Sequence, residues 1–133
     1  MTDPLVSVVI TSLNRPAWLR EATNSVLRQS YRNLEVIIVD DASDDPAVGE
    51  VMHDLRGADP RIRVIRNSQR TQIFRSLCEI GPSLRGDYLA ILNDDDRWES
   101  GFVEALPTPP TRGLCSCGGL LRSQHHQRCG FGR

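Results

Sequence analysis

Leu34-Glu35-Val36-Ile37-Ile38-Val39-Asp40-Asp41 decides how this chain is read. Apolar from Val36 to Val39, β-branched throughout and without alternation, it has the pattern of a strand buried on both faces, and it stops at two carboxylates. Upstream, Leu5-Val6-Ser7-Val8-Val9-Ile10-Thr11-Ser12 is a second run of the same kind. Between the two, Asn14-Arg15-Pro16 is a helix start, because proline is tolerated in a first turn. Trp18, Leu19, Ala22, Val26 and Leu27 then recur at helical spacing, which predicts an amphipathic helix over 16–30. Downstream, the acidic loop Asp40-Asp41-Ala42-Ser43-Asp44-Asp45-Pro46 leads to a helix striped by Val48, Val51, Met52 and Leu55, ending near Arg56-Gly57. Ile62, Val64 and Ile65 mark a third strand. Ile73, Leu77, Ile80 and Leu84 suit a third helix interrupted by Gly81-Pro82. Tyr88 to Leu92 is a fourth strand, ending at Asn93-Asp94-Asp95-Asp96, and residues 100–106 begin another helix. Strands alternating with helices predict an α/β fold: an open, mostly parallel sheet with flanking helices.

The length, 133 residues, suits one modest domain. Sixteen basic residues, all Arg, against 17 acidic ones leave a net charge of −1, which speaks against nucleic-acid binding through a basic surface. No apolar run approaches the roughly 18–20 residues of a membrane span, and the N-terminus lacks the pattern of a secretory signal. A cytoplasmic location is expected, with peripheral membrane association left open; no disulfide is expected there. Composition breaks near residue 105: residues 1–105 carry −5, residues 106–133 carry +4 and no acid, and that tail holds three of the four Cys and two of the three His. Residues 1–105 are read as the domain and 106–133 as an unstructured tail, too poor in apolar residues to offset its ordering entropy.

Ligands of open parallel sheets bind beyond the carboxyl ends of the strands. Thr11-Ser12-Leu13-Asn14-Arg15, Asp40-Asp41 and Asn93-Asp94-Asp95-Asp96 all fall there. Adjacent carboxylates repel one another, and a hard divalent ion relieves them; Mg²⁺ and Mn²⁺ take one or two carboxylates together with substrate phosphates. The alternative is a solvated acidic turn or helix start. A carboxylate of Asp40-Asp41 can accept from a ribose hydroxyl or a base N–H, or make an Asx-turn toward Pro46. Arg15 and Arg70 are suited to phosphate, or are surface charges. No G-x-G-x-x-G follows the first strand and no P-loop is present.

Together these stretches resemble family 2 glycosyltransferases. Val6 to Arg15 resembles the family's opening; Ser25-Val26-Leu27-Arg28-Gln29-Ser30-Tyr31 and Leu34 to Ser43 follow in order; Tyr88-Leu89-Ala90-Ile91-Leu92-Asn93-Asp94-Asp95-Asp96-Arg97-Trp98 resembles its D-x-D region. The resemblance covers about residues 5–104. It implies the GT-A fold, here a partial one on a Rossmann-like sheet, and transfer of a sugar from a nucleoside diphosphate donor, UDP-linked, to an acceptor hydroxyl on a saccharide, lipid or protein. It implies that Thr11, Asn14, Arg15, Asp40, Asp41, Arg70 and Asp94 contact the donor nucleotide, and that Mn²⁺ or Mg²⁺ bridges its diphosphate. In the register Asn93-Asp94-Asp95 the metal contact is Asp95; in the alternative register, Asp94–Asp96, Asp96 joins it. Asn67-Ser68-Gln69-Arg70-Thr71-Gln72-Ile73-Phe74-Arg75-Ser76 departs from the family's usual Gly and Asn pattern. The family's acceptor half, with the general base, has no match after Glu104. A truncated, weakly active or inactive copy is therefore expected, its tail the product of a frameshift near codon 105.

Two other readings stay beside this one. One is a non-catalytic nucleotide- or metal-binding regulatory module, like a phospho-acceptor receiver domain, which also places Asp residues at strand ends, but after strands one and three. Cys115, Cys117, His125, His126 and Cys129 could form a zinc-binding tail module, though C-x-C followed by H-H-x-x-C fits no standard finger.

Overall fold

The computed structural model describes residues 3–105 and the backbone of Leu121–Arg122. The elements in chain order are β1 (Val6–Ser12), α1 (Pro16–Leu27), β2 (Leu34–Asp40), α2 (Pro46–Ala58), β3 (Ile62–Arg66), α3 (Ile73–Ile80) with a 3-10 turn at Gly81–Ser83, β4 (Tyr88–Asn93), α4 (Phe102–Ala105) and β5 (Leu121–Arg122). The sheet order is β3-β2-β1-β4-β5. β1 to β4 pair in parallel, as the alternation of strands and helices predicts. β5 is an addition: Leu121 and Arg122 pair antiparallel with Leu89 and Tyr88, inside the tail read as unstructured. The rest of that expectation, and the zinc-ligand candidates, lie outside the described residues.

Strand geometry sorts side chains by parity. Val6, Val8, Ile10, Leu34, Val36, Ile38, Ala90 and Leu92 face one way, packed by Leu19, Ala22 and Val26 of α1 and by Val48, Val51, Met52 and Leu55 of α2. Val9, Ile37 and Val39 face the other way, against Ile80 and Leu84. Both faces are covered, which is why the strands read as continuous apolar runs.

Three local expectations shift. α1 ends at Leu27 rather than near residue 30. Trp18 is half exposed rather than part of the core stripe. The third helix stops at Ile80, and Gly81-Pro82 turn it into the 3-10 segment that still delivers Leu84 to the core. Cys78 of α3 is disulfide-bonded, against the expectation of reduced thiols. Among the described residues no helix is long and apolar enough to cross a membrane.

Candidate functional site

β1 is the pivot of the sheet. The chain steps outward from β1 through β2 to β3, then returns to β1's other side with β4, so a switch point lies between β1 and β4. Open α/β sheets bind ligands at such a crevice. The register brings the strand ends level, with Ser12 beside Asp40 and Thr11 beside Asn93. A cleft of about 270 Å³ opens there, lined chiefly by Thr11, Ser12, Leu13, Arg15, Asp41 and Asp94, with Thr71, Ile73 and Ser76 forming its α3 side.

The two carboxylates after β2 part company. Asp40 continues the parity of Val36 and Ile38 and is completely buried beneath the loop. Its Oδ1 accepts from the Ser43 N–H (3.0 Å) and from Ser43 Oγ (2.5 Å). Its Oδ2 lies 3.3 Å from Arg66 Nε. This is the turn-forming arrangement, and it holds a loop in which Ala42 sits at φ 60°, a strained conformation for a residue with a Cβ. Asp41 continues the parity of Val39 and reaches the cleft wall. Its Oδ1 accepts from the Thr71 N–H (2.7 Å) and from Asn67 Nδ2 (3.1 Å).

Asn14, at φ 53°, brackets two loops. Its Oδ1 accepts from the N–H groups of Asp44 (2.8 Å) and Asp45 (3.1 Å), and its own N–H donates to Ser43 Oγ (2.9 Å). Arg70 is not at the cleft; it pairs with Asp44 on the surface at 2.8 Å.

Asp94 is 7% exposed. Its backbone N–H donates to Thr11 O (3.1 Å), and its Oδ2 accepts from the Leu13 N–H (3.2 Å). Burial pushes its carboxyl above the ordinary value; the Leu13 bond and the Arg15 charge pull it down, and Asp95 pushes it up again. Arg15 Nη1 lies 3.4 Å from Asp94 Oδ1 and 3.4 Å from Asp95 Oδ2. Asp95 is half exposed. Asp96 is exposed, and its N–H closes a turn onto Asn93 O (3.1 Å).

This donor set suits a hard divalent ion. Two carboxylate oxygens already converge on a single cationic nitrogen, and one of them belongs to a nearly buried group short of positive charge. Among the described residues no group of three or more His, Cys, Asp or Glu side chains comes together. A metal held here would take two protein ligands, the number usual where phosphate oxygens and water complete the shell.

Of the nucleotide-contact candidates read from the sequence, the structure brings Thr11, Arg15, Asp41 and Asp94 to one cleft, with Asp95 joined to it through Arg15. Asn14 and Asp40 lie behind the loops, and Arg70 stands outside. Sequence reasoning passed over Ser12, Leu13, Thr71, Ile73 and Ser76 as lining residues. The signal was available for Thr71, which follows β3 at the same sheet edge; the departure from family pattern in that segment hid it.

An α/β sheet of this order, with carboxylates at its switch point, has the GT-A architecture. The chain belongs to glycosyl transferase family 2, whose sequence profile matches residues 7–113. It is 32% identical over 103 residues to glycosyltransferase GlyG of Streptococcus pneumoniae, covering 77% of this chain and 34% of that protein. It is 31% identical over 106 residues to an uncharacterized glycosyltransferase of Haemophilus influenzae, covering 79% and 32%. The chain thus spans about a third of the length of these relatives. Among solved structures, a mannosyltransferase from Pyrobaculum calidifontis in complex with GDP-Man and Mn²⁺ superposes with a TM-score of 0.67 at 22% identity, covering 73% of this chain and 29% of that one. Residues 1–349 of TarS from S. aureus in complex with UDP-GlcNAc give 0.67 at 18%, covering 75% and 29%. The receiver-domain reading falls with the family match, and Leu13-Asn14-Arg15 stands where a receiver has its acidic pair.

Proposed function

We propose that residues 1–105 form the donor-binding part of a metal-dependent, inverting glycosyltransferase that moves a sugar from a UDP-linked donor to an acceptor hydroxyl. The observation that carries this is the convergence of Asp94 and Asp95 on the Arg15 guanidinium at the β1–β4 switch point, beside a cleft that Asp94, Arg15 and Asp41 line. In this reading Asp95 and Asp94 hold Mn²⁺ or Mg²⁺. When bound, that ion neutralises the diphosphate as it departs. Thr11 and Asp41 line the nucleoside end, where Asp41 Oδ2 is the oxygen free of the Thr71 and Asn67 bonds. Asp40 and Asn14 support the site by fixing the loop that carries Asp41. Arg15 faces the phosphates. The described residues line the donor side, so we expect residues 1–105 to bind the nucleotide. The UDP-GlcNAc held by the S. aureus protein supports a uridine donor, while the GDP-Man held by the Pyrobaculum protein makes GDP the comparison to run.

Titrating UDP and GDP by calorimetry, with and without Mn²⁺, tests the proposal. UDP should bind at least tenfold more tightly with the metal, and Asp95→Ala should remove that enhancement. Equal affinity with and without Mn²⁺, or an unchanged response in Asp95→Ala, overturns it.

A further inference from the structure

We propose that Arg15 is the resident counter-cation of the Asp94–Asp95 pair, and that its guanidinium must leave the two carboxylates before a divalent ion enters. The inference rests on the donor-binding reading and adds to it a residue that sets metal affinity and couples metal to nucleotide.

The geometry is that of a loosely held placeholder. Arg15 Nη1 stands 3.4 Å from Asp94 Oδ1 and the same distance from Asp95 Oδ2. Charge-assisted N–H···O⁻ bonds close to about 2.7–2.9 Å when they are strong, so one nitrogen shared by two oxygens neutralises both and satisfies neither well. Asp94 Oδ2 is already held by the Leu13 N–H at 3.2 Å. Oδ1 is therefore the oxygen available for exchange, and it is the one facing Arg15. A divalent ion held by Asp94 and Asp95 would take over the neutralising role that Nη1 now serves between the two carboxylates. Two cations do not share that space.

The guanidinium has somewhere to go. The Arg15 side chain is 48% exposed, so its guanidinium can swing through solvent. Its Cζ lies 5.2 Å from the centroid of the Trp18 ring, which is itself half exposed. The ring already holds the guanidinium from one side and can keep it when the carboxylates let go. Arg15 also lines the cleft, so once off the carboxylates its planar fork meets the donor's phosphates, the partner it suits best. The residue thus has two alternative anions: carboxylates without metal, phosphate with it. Its charge opposes the bare ion and favours the ion brought in with a nucleotide.

The test uses Mn²⁺ alone, read by the electron paramagnetic resonance of the free ion, followed by UDP with saturating Mn²⁺. Arg15→Gln should bind Mn²⁺ alone about fivefold more tightly than the parent, the size expected for removing one unit charge a few ångströms away in a wet site, and should bind UDP with Mn²⁺ more weakly. Arg15→Lys keeps the charge and should stay within about twofold of the parent for Mn²⁺ alone. Arg15→Met, which keeps the apolar stem, serves if Gln is not tolerated. A merely supporting role for Arg15 would weaken both measurements together. Unchanged or weaker Mn²⁺ binding in Arg15→Gln overturns the inference while leaving the donor reading intact, provided Asp95→Ala still lowers Mn²⁺ affinity. If Asp95→Ala has no effect on Mn²⁺, the donor reading fails and the inference falls with it.

Discussion

Two buried carboxylates at opposite edges of the sheet behave in opposite ways. Asp94, at the carboxyl edge, is pushed up chiefly by burial. Glu35, at the amino edge and 3% exposed, is also pushed up by burial, but hydrogen bonds from Ser7 Oγ (2.5 Å), the Arg85 N–H (2.7 Å) and Arg85 Nε (3.1 Å), with Arg63 nearby, reverse this and leave it below the ordinary value. The same corner admits no side chain at Gly86, where a Cβ would collide with Ser7 Oγ and the Ser7 backbone nitrogen. The stability consequences have opposite signs. A raised carboxylate costs stability while ionised, and the cost disappears as pH falls through its folded value. A lowered one contributes stability above the unfolded value of about 4.3, lost as pH falls through its folded value. Asp94→Asn should therefore raise the thermal midpoint at pH 7, with the advantage fading toward pH 4. Glu35→Ala should cost about 2–3 kcal/mol at pH 7, discounted for the exposure of Arg85, and less in acid. Thermal melts of both variants across pH 3–8 check this; a destabilised Asp94→Asn at neutral pH would contradict the assignment of Asp94 as a group kept for function.

At the scale of elements, the segment from β4 to α4 carries Asp94 and Asp95, and α1 holds it in place. Gln29, 1% exposed just past the end of α1, is the hub. Its Nε2 donates to Glu99 O (2.6 Å) and Ser25 O (3.1 Å), and its Oε1 accepts from the Val103 N–H (3.0 Å). Ser25 Oγ accepts from the Trp98 N–H (3.2 Å), and Trp98 stacks on Phe102 with centroids 4.8 Å apart. Gln29→Leu should cost about 2–3 kcal/mol by removing the partner of the buried Val103 N–H and of two carbonyls, and should weaken Mn²⁺ binding although residue 29 lies off the cleft; denaturant titration and the Mn²⁺ assay read the two effects. Gln29 lies in the Ser25–Tyr31 stretch that carries the resemblance, but its bracing role was not legible, because a lone glutamine after an amphipathic stripe has the pattern of a surface residue. The strands were legible for the converse reason: burial on both faces leaves an unbroken apolar run that ends where the loop begins. The roles of Asp40 and Asp41 were not legible, because a shift of one residue at the strand end exchanges the two faces. Only the register, Ser12 beside Asp40, fixes which carboxylate lies under the loop and which looks into the cleft.

Across the whole molecule, the carboxyl edge of the sheet is one hydrogen-bonded assembly rather than separate loops. Asn14 joins the β1 loop to the β2 loop, Asp94 joins the β4 loop to Leu13, and Asp41 joins the β2 loop to Thr71 ahead of α3. A ligand that bridges the cleft therefore presses on all four parallel strands at once, and its binding energy should appear as global stability. A ligand present at 100 times its dissociation constant adds about 2.7 kcal/mol when it binds the native state alone. For a domain near 100 residues each kcal/mol moves the midpoint by roughly 4–8 °C. UDP with Mn²⁺ at that saturation should thus raise the midpoint by at least about 10 °C. Either component by itself should do much less, since the metal needs the phosphate oxygens to complete its shell and the phosphates need the metal to approach two carboxylates. Asp95→Ala at the same ligand concentrations should show little of the shift while keeping the parent's unliganded midpoint, because its side chain is half exposed and, among the described residues, pairs with Arg15 alone. A shift that survives in Asp95→Ala would place the nucleotide elsewhere than the β1–β4 switch point.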